Sequence, residues 1–365
     1  MSMFFTIAAI ILIVIVIFQI AKASEYVSVL KGEEKAFKQS NKVNGTLMIA
    51  FLVLGLIGVY WCNHLLYHET LFPQGSASIE GEQVDKLLWI TIILTGIVFF
   101  ATQILLFWFS YRYQYKEGKQ AHFYPHNNKL EVVWTVVPTI VLLILIVYGL
   151  RSWFLFTGDS PKNAMKIEVT GHQFGWVFRY PGQDGVFGKK YFKDIDPAHS
   201  NELGLIWKDS AALNQKADPA AFDDIVIDGT MYLVKGVPVR LLINSQDVIH
   251  DVGLPQFRMK MDAVPGTPTT LWFTPRFTTK EMRERTGNPN YVYELACDQL
   301  CGQGHYSMRA VVDVVTQAEF DVIMSQQKPA YYAAFPDKDP SVKAAKDTTN
   351  PASTVADTTK VMAKL

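Results

Sequence analysis

Residues 293–315 read YELACDQLCGQGHYSMRAVVDVV and place Cys297, Cys301, His305 and Met308 at successive spacings of four, four and three. Thiolate and thioether are soft ligands, and together with imidazole they select copper over harder divalent ions. A structural zinc site would complete two cysteines with further Cys or His rather than Met, and the only other cysteine in the chain is Cys62. Gly302 and Gly304 keep the loop supple enough to turn its donors inward. Taken singly, His305 or Met308 reads as an ordinary core or surface residue. The two cysteines could also pair as a disulfide or stand as unrelated thiols in a turn, so it is the combination that points to metal. One more histidine is needed, and His250 in SQDVIHDVGLP is the candidate, because Val248, Ile249, Val252 and Leu254 surround it with an apolar strand end.

From Ala164 onward the chain runs in short β-branched and aromatic stretches broken by Gly and Pro. Strands are expected at 166–169, 176–179, 230–234, 238–244, 269–273, 291–296 and 309–315. No helical crossover of a dozen residues separates most of them, so an antiparallel sandwich or barrel is expected rather than a parallel sheet. Residues 180–228 are polar with few apolar repeats. So long a structureless loop is unusual in a compact domain, and it is expected as a surface insertion over 181–228. Thr316 and Glu319 form a capping-box start for one helix carrying Phe320, Ile323 and Met324. From residue 328 the tail is rich in Pro, Ala, Thr, Asp and Lys and is expected to be disordered. It contains no C-x-x-C-H motif, so no haem-attached cytochrome is expected in it.

The first 156 residues have a different texture. The chain as a whole has 365 residues, 49% hydrophobic and 13% aromatic, with a formal charge of +0. That balance argues against nucleic-acid binding and against a wholly disordered chain. Charge is nevertheless sparse before residue 157 and common after it, which divides a membrane part from a soluble part. Apolar runs lie at 3–20, 46–61, 87–109 and 132–156. The last two can cross a hydrocarbon core of about 30 Å, and the first two sit at the short end of the usual ~17–25 residues. The short runs could instead be a buried soluble helix or a signal peptide. Ala21-Lys22-Ala23 resembles a cleavage site, yet no Lys or Arg precedes the first run.

Loop charges decide the topology. Residues 21–45 carry Lys22, Lys31, Lys35, Lys38 and Lys42, and residues 110–131 carry Arg112, Lys116, Lys119 and Lys129. The loop between them has Lys86 alone against Glu69, Glu80, Glu82 and Asp85. Positive-inside therefore puts both basic loops in the cytoplasm, with an outside N-terminus, four retained spans and an outside C-terminal domain. Cys62 reads as apolar filler.

C-x3-C-G-x-x-H-x-x-M after DVIH, together with GHQFGWVFRY and VKGVPVRLLINSQDVIHDVGLPQFRMKMDAVPG, resembles the binuclear copper (CuA) domain of cytochrome c oxidase subunit II. The resemblance runs over about residues 85–327. It implies a cupredoxin-like Greek-key β-barrel behind four transmembrane helices, two more than the family's usual hairpin. It also implies two copper ions bridged by Cys297 and Cys301. His250 and His305 would each complete one ion, with Met308 axial to one and the backbone carbonyl of Gln299 to the other. Such a pair delocalises one electron with little change of geometry.

Phe174 stands where the family has the Trp through which electrons arrive, Gly175 where it has Tyr, and Trp176 matches the run's second aromatic. His172 reads as a hydrogen-bonded structural residue. LEVVWTVVPTIVLLILIVYGLRSW resembles the family's second helix, with Glu131, Trp134, Thr135 and Pro138 in its pattern. By that likeness Glu131 opens a proton pathway; by itself it reads as a carboxylate favoured at a helix N-terminus. Asp262 in KMDAVPG corresponds to an acid near a magnesium ion at the interface with the catalytic subunit, and Lys260 to an interface partner, although both also read as strand-end charges. Gln299 replaces the family's Glu, and a neutral amide gives magnesium a poorer ligand than a carboxylate.

The implied partners are the haem–copper oxidase subunit I, cytochrome c or a cytochrome-bearing complex as donor, and the lipid bilayer. The implied place is the bacterial inner membrane with the copper domain periplasmic, where two close thiols would oxidise unless metal held them. The expected function is the electron-accepting subunit of a respiratory terminal oxidase whose partner reduces oxygen and pumps protons. An electron-transfer subunit of another haem–copper complex, such as a nitric oxide reductase, and a copper carrier or assembly protein are the alternatives. The hairpin with Glu131 favours the oxidase. Residues 157–365 hold 23 Lys+Arg against 25 Asp+Glu, too balanced to name a strongly basic donor.

Overall fold

The computed structural model describes residues 2–211 and 214–340. They fall into two units, one combining residues before Gln74 with Lys86–Tyr148 and the other combining Gln74–Asp85 with the chain from Gly149 onward. The first unit is helical. Helices α1 (Ser2–Lys31), α2 (Glu33–Leu66), α3 (Gly81–Arg112) and α4 (Asn128–Thr157) are each long and apolar enough to cross a membrane, with mean hydropathy between 2.0 and 2.6. A helix suits that setting because it bonds all its backbone groups internally. Gly32, at φ 82° and ψ 145°, takes a positive-φ conformation between α1 and α2 that glycine adopts without steric cost. Phe51 meets Phe107 at 5.3 Å to pack α2 on α3. The side chain of Asn127 accepts from the Leu130 amide at 3.0 Å and caps α4, leaving Glu131 exposed in its first turn.

The second unit contains ten strands in two sheets. Their ranges are β1 (Met165–His172), β2 (Gly175–Tyr180), β3 (Ile225–Asp228), β4 (Thr230–Val234), β5 (Val239–Ser245), β6 (His250–Leu254), β7 (Met259–Ala263), β8 (Thr269–Phe273), β9 (Tyr293–Cys297) and β10 (Arg309–Val315). The order is β3-β2-β1-β5-β8 in one sheet and β4-β10-β9-β6-β7 in the other. This is the cupredoxin-like sandwich behind a membrane anchor. Each of the seven expected strands is present, and β3, β6 and β7 are additional. The sheets are mixed rather than purely antiparallel, since β1 pairs with β5 and β4 with β10 in parallel. These partners are remote in sequence, and the chain visits the other sheet between them, so they need no local crossover helix. Gly229 makes one such change of sheet. At φ 69° it separates β3 from β4, donates to the carbonyl of Trp176 and accepts from the amide of Val311.

Alternate residues of the strands point between the sheets. Ile167, Val169, Phe178, Leu241, Ile243, Leu295, Val312 and Val314 share one buried cluster with Cys297, Cys301 and Met308. Tyr180 ties the sheets together, its hydroxyl donating to the carbonyl of Tyr232 at 3.1 Å and accepting from that residue's amide at 2.7 Å. The helix α6 (Gln317–Gln326) begins at the Thr316–Glu319 capping box, and α5 (Thr279–Thr286) at an equivalent Thr278–Glu281 box. Gln74–Asp85 straps across the same unit. Ser78 donates to the carbonyl of Phe257 at 2.7 Å, buried Glu80 accepts from the Thr274 amide at 2.7 Å, and Arg258 donates to Asp85 at 2.7 Å.

Two expectations change here. The stretch 181–228 is not a bare polar loop, because Leu203, Leu205, Trp207 and Ala221 form a second buried cluster with Val177 on the outer face of β2. The tail expected to be disordered from residue 328 instead begins with the short helix α7 (Ala330–Ala334), whose Ala330 and Tyr331 complete that cluster. Tyr331 stacks on Phe222 at 4.3 Å, and Trp207 donates to the Ala221 carbonyl at 3.0 Å. The apolar residues follow neither helical nor strand period, and the two halves of the cluster lie far apart in sequence, so no local pattern announces them. Residues 341–365 of that tail lie outside the described residues.

Beneath this cover sits a buried ionic group. Arg179 donates to Glu168 at 2.6 Å, to Asp224 at 2.8 Å and to the Gly188 carbonyl at 2.7 Å, while Lys190 reaches Glu168 at 2.5 Å. Arg179, Glu168 and Asp224 are all nearly inaccessible. Burial opposes ionisation of Glu168, but Arg179 and Lys190 outweigh it and hold the carboxyl below the ordinary range. Burial pushes Asp224 up to about 6, with Arg179 only partly countering. A carboxyl raised on folding weakens the fold only while ionised. Its penalty is therefore complete above pH 6 and relieved as the pH falls toward the unfolded value of about 3.9. The thermal midpoint of the wild-type chain, followed by circular dichroism, should rise relative to that of Asp224→Asn as the pH drops from about 7 to about 5. A difference constant across that interval would contradict the assignment.

Candidate metal centre

Strand pairing brings the donors together at one end of the second sheet. β6 begins at His250, β9 ends at Cys297, and β10 begins one residue after Met308. Val252 lies opposite Cys297, and the Cys297 amide donates to the Met308 carbonyl at 3.1 Å. Between the strands, residues 298–308 fold back through a 3-10 turn at His305–Ser307, closed by the bond from the Met308 amide to the His305 carbonyl at 3.2 Å. Cys297 and Cys301 are free thiols with their sulfurs 3.8 Å apart. His250 Nδ1 lies 3.8 Å from the Cys297 sulfur, and His305 Nδ1 lies 3.6 Å from that of Cys301. The Met308 thioether is 3.7 Å from Cys301 Sγ, and the Gln299 carbonyl oxygen is 3.2 Å from Cys297 Sγ.

The donor set fits copper. The other four expected ligand groups surround the two sulfurs, and the liganding atoms of His250, Cys297 and Cys301 lie within 4.8 Å of one another, all three buried. Soft sulfur and borderline imidazole donors with no carboxylate among them match a soft metal. Burial, then the adjacent Cys297, pushes the Cys301 thiol up to about 11. A bound cation reverses that preference by replacing the proton, so metal uptake here releases protons.

Outer contacts orient the donors. His250 Nε2 meets Asp247 Oδ1 at 2.7 Å, which leaves Nδ1 toward the sulfurs. The same carboxylate accepts from the Gln173 amide at 2.7 Å through Oδ2, and the Gln173 side chain donates to the Cys301 carbonyl at 2.6 Å. Neither Asp247 nor Gln173 was singled out from the sequence. An acid three residues before a ligand histidine was the available signal, whereas Gln173 left none. Trp176 is fully buried and meets the His250 ring edge-on at 5.9 Å, so it presents no surface to a donor and acts by packing the ligand. Phe174 is 42% exposed and lies over the glycines of the loop, where a Cβ on Gly304 would come within 2.6 Å of its ring. Asp262, exposed on β7, faces buried Asp251 of β6. Burial first, and Asp262 second, push the Asp251 carboxyl up to about 7, while Lys260 at 3.3 Å opposes them. The Gln299 side chain is exposed, and His172 packs against Gly175. Glu131 lies in the helical unit.

A cupredoxin-like domain with a buried thiol, imidazole and thioether pocket, together with apolar helices long enough to cross a membrane, defines a membrane protein with a candidate copper pocket. Comparison with known families is specific. Residues 66–152 match the profile described as cytochrome C oxidase subunit II, transmembrane domain, and residues 165–315 match that of its periplasmic domain. The alternative cytochrome c oxidase subunit 2 of Bradyrhizobium diazoefficiens is 36% identical over 246 residues, covering 67% of this chain and 80% of that protein. Cytochrome c oxidase subunit 2 of Cereibacter sphaeroides is 27% identical over 264 residues, covering 71% and 80%. Among solved structures, the periplasmic domain of subunit II of cytochrome oxidase from Bradyrhizobium japonicum is 25% identical, with a TM-score of 0.29 over 46% of this chain and 95% of that one. The chain belongs to the cytochrome c oxidase subunit II family, and is thus a subunit of an oxidoreductase complex and an integral membrane protein of bacterial type.

The glycine loop makes a prediction. Gly304→Ala forces the Phe174 ring aside and should cost about 1–3 kcal/mol in thermal unfolding of the chain, as overpacking does. Adding Phe174→Ala should recover most of that loss, and strictly additive effects would show that ring and glycine are not in contact.

Proposed function

We propose that this chain accepts electrons from cytochrome c or a cytochrome-bearing complex and passes them to the haem–copper subunit of a respiratory terminal oxidase. The observation that carries the reading is the convergence of four further donor groups on two close, buried thiols at the end of the β core. Cys297 and Cys301 would hold two copper ions jointly, His250 and His305 one each, with Met308 and the Gln299 carbonyl as further, weaker donors. A copper pair so held supplies a one-electron centre whose charge is shared between both ions.

The protein's part is to keep the donors in place and water out. β6, β9 and β10 fix His250, Cys297 and Met308 by backbone pairing, and Asp247 and Trp176 hold the His250 ring at its two sides. Phe174 is the exposed aromatic beside the loop and is the point at which a donor would make contact. No nucleophile–base pair is required. Glu131, on the helical unit, would serve proton uptake for the partner subunit, by likeness to the family's second helix.

Copper reconstitution tests the centre. The purified chain should bind two coppers and show a mixed-valence spectrum that Cys297→Ser and Cys301→Ser each abolish. One copper per chain, or a preference for zinc, would sink the reading. In the assembled oxidase, Phe174→Ala should slow reduction by the physiological donor roughly tenfold or more, on the scale typical of groups that support a metal site, with copper content intact. An unchanged rate would move the contact elsewhere. Glu131→Gln should lower oxidase turnover with no change at copper, and wild-type turnover across pH would return Glu131 to a helix-end role.

A further inference from the structure

We infer that Gln173 is a positioning residue that locks the Phe174 ring and both sides of the metal pocket into one hydrogen-bonded unit, an inference that rests on the electron-accepting function proposed above. Gln173 has two arms. Its backbone amide donates to Asp247 Oδ2 at 2.7 Å, and the other oxygen of that carboxylate meets His250 Nε2 at 2.7 Å. Its side-chain amide donates to the carbonyl of Cys301 at 2.6 Å. One arm therefore reaches the histidine beside Cys297, and the other reaches the second cysteine directly. Phe174 follows in sequence, so the placement of its ring is set by the residue that grips both.

The surroundings support a latch rather than a chance surface contact. Gln173 is exposed, and fixing a free glutamine side chain costs up to about 2 kcal/mol of rotamer freedom, which a solvated surface contact seldom offsets. Asp247 is itself held, since Oδ1 also accepts from the Val248 amide at 2.7 Å and Ser245 Oγ donates to the Val248 carbonyl at 2.5 Å. Gly302 leaves the room the amide needs, because a Cβ there would stand 3.0 Å from Gln173 Nε2 and 3.0 Å from the Phe174 ring. The Cys301 carbonyl can only accept, so the group facing it must be the NH2 end of the amide. Glutamate, of the same shape, would set acceptor against acceptor, and methionine, of similar length, would make no bond.

Supporting contacts hold ligands to within about 0.5 Å of productive geometry, and their loss typically costs 10–100-fold in activity or affinity. Gln173→Met and Gln173→Glu in the assembled, copper-loaded oxidase should therefore keep two coppers per chain and the KM for the donor. They should lower the rate of reduction roughly tenfold and alter the hyperfine pattern of the copper electron-spin resonance. Should Gln173→Met unsettle the fold, Asp247→Asn probes the same unit from its other end and should reproduce the slower reduction and altered resonance. An unchanged rate and spectrum would overturn the latch, and so would outright loss of copper from a folded Gln173→Met chain, because Gln173 would then be needed to hold the metal rather than to position its surroundings. Failure of the functional reading looks different: the wild-type oxidase would itself lack the copper pair.

Discussion

Two thiols, two imidazoles and a thioether inside or beside a hydrophobic core are the constraint on which the soluble unit depends. Polar and titratable groups removed from water are costly unless they are partnered. The protein meets that cost with a rigid frame rather than a flexible pocket. Cys297, Cys301 and Met308 belong to the same buried cluster as the strand residues that hold the sheets together. Packing that stabilises the sandwich therefore also fixes the donors, and the site cannot relax independently of the core. The pairing of β6 with β9, and of β9 with β10, places three of the donors before any side-chain contact is considered.

The outer face of the first sheet solves a different problem. β1 and β2 carry Glu168 and Arg179 on the side away from the main core, where an uncovered sheet would leave them in water. The segment 181–228 and α7 cover them, and the ion group becomes nearly inaccessible. Buried ion groups need several hydrogen bonds to offset desolvation. Here Arg179 has three acceptors, and Glu168 receives from Arg179, Lys190 and Asn244. The arrangement ties the insertion to the sheet, because Gly188, Lys190 and Asp224 supply partners for those charges.

The candidate metal site was legible because its chemistry is rare: four soft or borderline donors in one short loop have few structural uses, and the structure brings them together. Strands with β-branched alternation were legible as well. Three kinds of feature were not. β6 and β7 were short, and the Asp and Lys residues within them weakened the apolar alternation. The cluster of Leu205, Trp207 and Tyr331 has no period and joins segments more than a hundred residues apart. The hydrogen bonds of Asp247 and Gln173 depend on tertiary placement, and a glutamine in an exposed turn carries no local mark of its partners. Trp176 shows the limit of matching by position, since its burial assigns it to the ligand rather than to the surface.

The strap Gln74–Asp85 has a consequence for how the protein is made. Its Ser78 hydroxyl and Glu80 carboxylate reach across to Phe257 and Thr274, which follow almost two hundred residues and two apolar helices later in the chain. A chain made only as far as α4 therefore carries the strap without the partners that seat it, so strap and sandwich form one structural unit although α3 and α4 separate them in sequence.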